Sequence, residues 1–316
     1  MVDWRTSASQ ENLKLRAWML AETRRFFAER GILEVETPLL GASSVTDVHL
    51  QSFEIGAENN SLSNPLFLQT SPEYAMKRML SSGSGPIYQI CKAFRREEST
   101  RQHNPEFTLL EWYRPGFSME DLMDEVEALV RHILKTDTMP RFSYGELFQD
   151  KLGIDPHNIS LSELEARSAG MLQVSGENLD ATDYLQLLMN QQIEPGLPPY
   201  CFVYDYPCDQ AALAVIEDNA QGIAVAKRFE LYCDGMELAN GYFELTDAAE
   251  QRRRFEQDLA RRRSLSLPEI PVDEQLLAAL EAGLPACSGV ALGMDRLLMV
   301  LAKSKSIADV LSFPLA

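Results

Sequence analysis

The chain has 316 residues, 45% of them apolar and 24% charged, which excludes disorder, collagen or coiled coil as a description of the whole molecule. Its 29 Lys and Arg against 47 Asp and Glu give a net charge of −18, so general binding to nucleic-acid backbones is not expected. No run of 18 apolar residues occurs and the N-terminus MVDWRTSASQENLK lacks an apolar signal core; no membrane contact and a cytoplasmic location are expected.

In chain order, residues 11–30 predict a helix with Leu13, Ala17, Leu20, Ala21 and Phe27 as its apolar positions and Gly31 as its stop. Residues 31–40 predict a strand ending near Pro38, and 49–55 with 65–69 a hairpin around a polar loop. Ser71-Pro72-Glu73 opens a helix, with Ser71 as N-cap and Pro72 in the first turn. Residues 85–97 and 107–116 predict two antiparallel strands joined by a long loop. Residues 118–136 predict a helix whose Ser118 and Asp121 are spaced as a capping box. Residues 141–199 hold short helical patterns with little strand signal, expected as a helical insertion within one domain spanning 1–316. A strand at 201–207 precedes a hairpin over 227–245 turning at Asp234-Gly235. Helices at 247–264 and 273–282 follow, then a short strand, SGVALG, entering the helix MDRLLMVLAK. Long antiparallel strands with flanking helices and no regular βαβ alternation predict an α+β fold. Neither GxGxxG nor GxxxxGK[ST] is present.

Cys91, Cys201, Cys208, Cys233 and Cys287 are scattered without a CxxC, so reduced thiols are expected. His49, His103, His132 and His157 lack metal-site spacing. The chemistry concentrates in three segments. In 94–113, Arg95 and Glu97 alternate along a strand, His103 and Asn104 lie in the return loop, and Glu111 and Tyr113 share a face. Alone, that pattern fits a solvated, ion-paired sheet face better than a site. In 235–245, Glu237 and Glu244 flank Asn240, and an irregularity at Gly241 could bring both carboxylates to one Mg²⁺. In 288–296, small strand residues permit close ligand approach, and Arg296 in the first helical turn could clamp a phosphate. Together, acids suited to Mg²⁺ and two arginines are the equipment for a nucleoside triphosphate bound on a sheet.

These segments also resemble a known family. RGILEVETPLL is similar to motif 1 of the class II aminoacyl-tRNA synthetases, FRREESTRQHNPEFTLLEWY to motif 2 in its lysyl form, and GVALGMDR to motif 3. SPEYAMKRML and GMELANGYFEL resemble the lysyl-tRNA synthetase catalytic domain, and the likeness covers roughly 11–312. It implies an antiparallel sheet flanked by helices, a homodimer built through the first helix and strand, and ATP and Mg²⁺ as cofactors. Arg95 is implied as the catalytic arginine at the α-phosphate and Arg296 as its counterpart at the γ-phosphate. Glu97, Asn104, Phe107, Glu237, Leu238 and Gly293 are implied around ATP, with Phe107 stacking on adenine. Ser71, Pro72, Glu73, Glu111, Tyr113, Asn240, Glu244 and Ala291 are implied around the amino acid, and Glu237 and Glu244 at the metal.

Three departures bear on function. The chain starts almost at the catalytic domain, so no anticodon-binding domain is expected. Ala291 stands where lysyl synthetases have glycine. The length is that of truncated paralogues of these synthetases. The resemblance therefore implies ATP-dependent activation of (R)-β-lysine as an acyl-adenylate and its transfer to a lysine of elongation factor P, with no tRNA as partner. A minimal enzyme aminoacylating tRNA and an inactive regulatory paralogue are the alternatives.

Overall fold

Side-chain caps and aromatic packing set the first helix. The computed structural model describes residues 4–59, 64–96, 99–173 and 179–315. Helix α1 (Gln10–Ala28) begins where the Ser9 side chain accepts the Asn12 amide, and the chain leaves it through Gly31 at φ +66°, a left-handed position that glycine enters without a Cβ clash. Its buried residues are Met19, Thr23, Phe26 and Phe27, whereas Ala17 and Ala21 of the expected stripe are exposed. The cause is Phe27, which stacks on Tyr88 at 4.4 Å and meets Trp112 edge-on at 5.3 Å, turning that face to the core.

Strand β1 (Leu33–Glu34) is far shorter than the strand expected over 31–40. Pro38 has no amide to give a ladder, and the chain moves to a second, small sheet of β2 (Leu40–Gly41), β3 (Glu54–Ile55) and β4 (Leu66–Leu68), ordered β2-β4-β3. Here the hairpin expected from 49–55 and 65–69 is found. Helix α2 (Glu73–Ser81) starts later than expected: Pro72 stands at the cap position, while Ser71 Oγ accepts the Glu73 amide at 3.0 Å.

The chain continues through β5 (Ile87–Phe94), β6 (Glu106–Pro115), α3 (Met119–Leu134), β7 (Arg141–Ser143), α4 (Tyr144–Leu152), α5 (Leu161–Ser168), α6 (Ala181–Leu188), β8 (Tyr200–Tyr206), β9 (Ile216–Asp218), β10 (Ala224–Cys233), β11 (Met236–Phe243), α7 (Ala248–Ser264), α8 (Glu274–Gly283), β12 (Cys287–Gly293) and α9 (Met294–Ala302). The main sheet runs β1-β5-β6-β12-β11-β10-β8-β7, with β9 paired to β10. Its centre is antiparallel, as expected. The edge pairs β1–β5 and β7–β8 are parallel, which the sequence did not suggest. This is an α+β fold.

On one face, Leu122, Val126, Leu129 and Ile133 of α3 join Met19 and Phe27 of α1 and Leu297 and Leu298 of α9 in a single core with Leu110, Trp112, Leu231 and Val290 of the sheet. Ser118 and Asp121 form the capping box at the start of α3. Residues 141–199 contain β7 as well as helices. Tyr144, Phe148, Leu185 and Leu188 there share a second apolar cluster with Val203 of β8 and Ala226 of β10. Among the described residues, no helix is long and apolar enough to cross a membrane.

Candidate active site

The other face of the sheet carries polar side chains in two rows set by strand register. Gln89, Glu111, Ala291, Asn240 and Glu230 lie opposite one another across β5, β6, β12, β11 and β10. Ile87, Tyr113, Gly289, Tyr242 and Arg228 form the next row. Glu237 would belong to the opposite face by simple alternation. A bulge intervenes: Leu231 pairs Ala239 and Tyr232 pairs Glu237, so Leu238 is the extra residue, and such an insertion switches the side on which later residues emerge. The irregularity is therefore at Leu238 and not at Gly241. A Cβ on Gly241 would instead collide with the Phe229 ring.

Above these rows is a cavity of about 380 Å³. Ser71, Glu73, Arg95, Asn104, Phe107, Glu111, Tyr113, Glu237, Leu238, Asn240, Glu244, Ala291, Gly293 and Arg296 line it together. Pro72 does not line it, and Glu97 lies outside the described residues.

One end is carboxylate-rich. Tyr113 donates to Glu111 Oε1 and Ser71 to Glu111 Oε2, both at 2.8 Å. Lys77, buried on α2, donates to Glu73 Oε1 at 2.7 Å and lies 2.6 Å from Glu244 Oε2. Burial, then the charge of Glu73, pushes Glu111 up to about 8 against the hydrogen bonds from Ser71 and Tyr113. Burial raises Glu244 to about 7 although Lys77 opposes it. Burial works against the Lys77 ammonium, but Glu244 and Glu73 outweigh it and raise its pKa, so it stays charged.

The other end is cationic. Arg296 donates to the Glu237 carbonyl at 2.7 Å and lies 2.8 Å from His103 Nε2. The Arg95 guanidinium stands 5.1 Å from the centre of the Phe107 ring, and its buried Nε has no hydrogen-bond partner. Asn240 Oδ1 is likewise buried without one. Unsatisfied buried polar atoms aimed into a cavity are what a polar ligand completes. Asn104 differs: its amide donates to the Glu106 carbonyl at 2.6 Å and its oxygen accepts the Leu315 amide at 2.9 Å, so its polar atoms fasten the return loop and C-terminal tail.

For a metal, Glu237 is a half-buried carboxylate whose pKa is raised by desolvation and then by Glu230, with Arg296, Arg228 and Arg95 opposing. The two acids nearest to it in charge or sequence are both engaged: Glu230 with Arg228 and with the Tyr232 hydroxyl at 2.6 Å, and Glu244 with Lys77. Among the described residues no group of three or more His, Cys, Asp and Glu gathers for a metal ion. A carboxylate or two beside a phosphate site still suits Mg²⁺, which takes its other ligands from phosphate and water.

Sequence reasoning missed Lys77, Arg228, Glu230 and Gly289. Lys77 was detectable as the i+4 partner of Glu73 on a helix. Arg228 and Glu230 alternate along β10 as Arg95 and Glu97 do in the sequence, but nothing local places them beside Glu237.

The chain belongs to the family described as tRNA synthetases class II (D, K and N), whose profile matches residues 1–316. Membership implies use of ATP. Among individual proteins, the chain is similar to those named elongation factor P–(R)-β-lysine ligase from Salmonella paratyphi B (strain ATCC BAA-1250 / SPB7), Salmonella schwarzengrund (strain CVM19633) and Salmonella paratyphi C (strain RKS4594). Each is 48% identical over 317 residues, covering 98% of this chain and 97% of the relative.

Proposed function

We propose that this protein activates (R)-β-lysine with ATP as an acyl-adenylate and transfers the acyl group to a lysine side chain of elongation factor P. The cavity's two-ended charge carries this assignment: Glu73, Glu111 and Glu244 gather at one end, Arg95 and Arg296 at the other. The relatives' printed name supports the choice of substrate and acceptor.

The acidic end suits a substrate with two ammonium groups, because buried cations need paired carboxylates. Such seating directs the substrate carboxylate towards Arg95. The carboxylate oxygen attacks the α-phosphorus of ATP, the bond to the bridging oxygen breaks, and pyrophosphate leaves. Arg95 and Arg296 hold the phosphates in line and balance their charge. The acceptor amine then attacks the acyl carbon, an amide bond forms, AMP leaves and the amine releases a proton. Phe107 and Leu238 wall the nucleotide side, Gly293 leaves room for it, and Ala291 lies between Glu111 and Asn240 beneath the amino substrate. Mg²⁺ would be held at Glu237 and would supply neutralisation of phosphate charge.

The protein acts as a cytoplasmic homodimer without tRNA in this proposal. The test is ATP–pyrophosphate exchange with L-lysine and (R)-β-lysine, followed by acyl transfer to elongation factor P and to tRNA. Exchange favouring (R)-β-lysine and transfer to the protein are expected. Transfer to tRNA alone would establish a minimal synthetase, and absent exchange a regulatory paralogue.

A further inference from the structure

We propose that Lys77 is a positioning residue that presets the amino-substrate pocket: it acts as a resident cation that holds Glu73 and Glu244 aimed before substrate arrives, and thereby sets the preference for two ammonium groups over one. This deepens, and rests on, the assignment of the acidic end of the cavity to the amino substrate.

Lys77 has 1% of its surface exposed and sits between two carboxylates on different elements, Glu73 on its own helix and Glu244 just beyond β11. It uses Glu73 Oε1 and Glu244 Oε2. The remaining oxygens stay available, and Glu244 Oε1 lies against Gly289, where an added Cβ would meet it at 2.5 Å. Ser71 continues the chain of contacts, accepting the Glu73 amide and donating to Glu111. One buried ammonium thus connects, through two acids and a serine, to every carboxylate at that end.

Glu73 and Glu244 approach one ammonium from two elements, at 2.7 Å and 2.6 Å, and Lys77 holds both carboxylates in place at the pocket. A substrate with two ammonium groups uses both acids held in this way, and a substrate with one leaves one of them without a partner. Without Lys77, mutual repulsion favours arrangements in which one of the two carboxylates turns away from the other. Substrate binding must then bring that acid back, and an acid turned away no longer rewards the second ammonium. In the competing role Lys77 merely occupies carboxylate oxygens the substrate needs, and removing it would then tighten binding.

The experiment measures binding of (R)-β-lysine, and of the β-amino acid of equal length lacking the side-chain amine, by calorimetry without ATP, for wild type, Lys77→Met and Lys77→Gln. Pyrophosphate exchange with separate KM values for ATP and amino substrate runs alongside. Expected for both variants is a loss of (R)-β-lysine affinity of about tenfold or more, a fall of similar size in its preference over the monoamine, and a KM for ATP within about twofold of wild type. The glutamine variant keeps a hydrogen-bond donor and lowers the chance of misfolding, so thermal unfolding of both identifies a folded variant for the comparison. Unchanged preference, tighter binding, or equal weakening towards both ligands and ATP would overturn the proposal. If the wild type binds (R)-β-lysine but shows no exchange, ligase activity fails as the proposed function while Lys77 is still judged by the affinities. A wild type that does not prefer the diamine overturns the role of Lys77 as well.

Discussion

Ala291 lies in register between Glu111 and Asn240, so its methyl group is fixed on the floor of the amino-substrate pocket and cannot move aside without disturbing the ladder. A methyl-sized change in a tight pocket shifts discrimination by about 1–3 kcal/mol, or roughly 10–200-fold. Ala291→Gly should therefore raise exchange with L-lysine relative to (R)-β-lysine; an unchanged ratio would place discrimination elsewhere in the pocket. Glu237→Gln should abolish exchange while leaving thermal unfolding close to wild type, because the strand does not need that charge. Near-normal exchange would remove Glu237 from the phosphate site. Glu111 gives a pH test. Its pKa rises from 4.5 to about 8 on folding, so the folded chain keeps a proton that the unfolded chain has released over that window. Stability thus falls as pH rises through it. The fall in melting temperature between about pH 5 and pH 8 should be smaller in Glu111→Gln. Equal slopes in the two proteins would mean that Glu111 is ionised throughout.

Among the elements, β12 is the most constrained, since it must pass beneath the substrate while touching both neighbours. At Gly289 an added Cβ would run into the Tyr113 ring and Glu244 Oε1. Gly289→Ala should raise the KM for the amino substrate by about tenfold or more and leave the KM for ATP nearly unchanged. If both constants stay at wild-type values, the floor of the pocket is elsewhere. The β10–β11 hairpin shows how local chemistry positions a site. Asp234 and Gly235 both adopt positive φ, 50° and 72°, as a tight two-residue turn requires, and the Leu238 bulge four residues beyond the start of that turn brings Glu237 to the site face.

At the scale of the molecule, the proposed homodimer draws on a surface around the first helix and strand. Trp18, Leu33, Leu39 and Leu40 are large apolar residues that remain exposed there, Leu33 at 56%. Phe27, by contrast, is fully buried in its own core and is not available to a partner. Light scattering at micromolar concentration should give twice the mass of the 316-residue chain, and a monomer would oppose the proposal.

By itself the sequence determined the elements with strong local causes: the Ser118 cap, the Gly31 stop, the Asp234-Gly235 turn and the alternation that pairs Glu111 with Tyr113. It also carried the family, through segments distinctive enough to be recognised without coordinates. Tertiary structure alone decided which face of α1 is buried, because Phe27 meets Tyr88 and Trp112 from distant strands. It decided that Glu244 pairs with Lys77, since that relation crosses between elements. Caps, turns and side-chain alternation are governed by neighbours along the chain, whereas charge pairing and burial depend on register and packing between segments far apart in sequence.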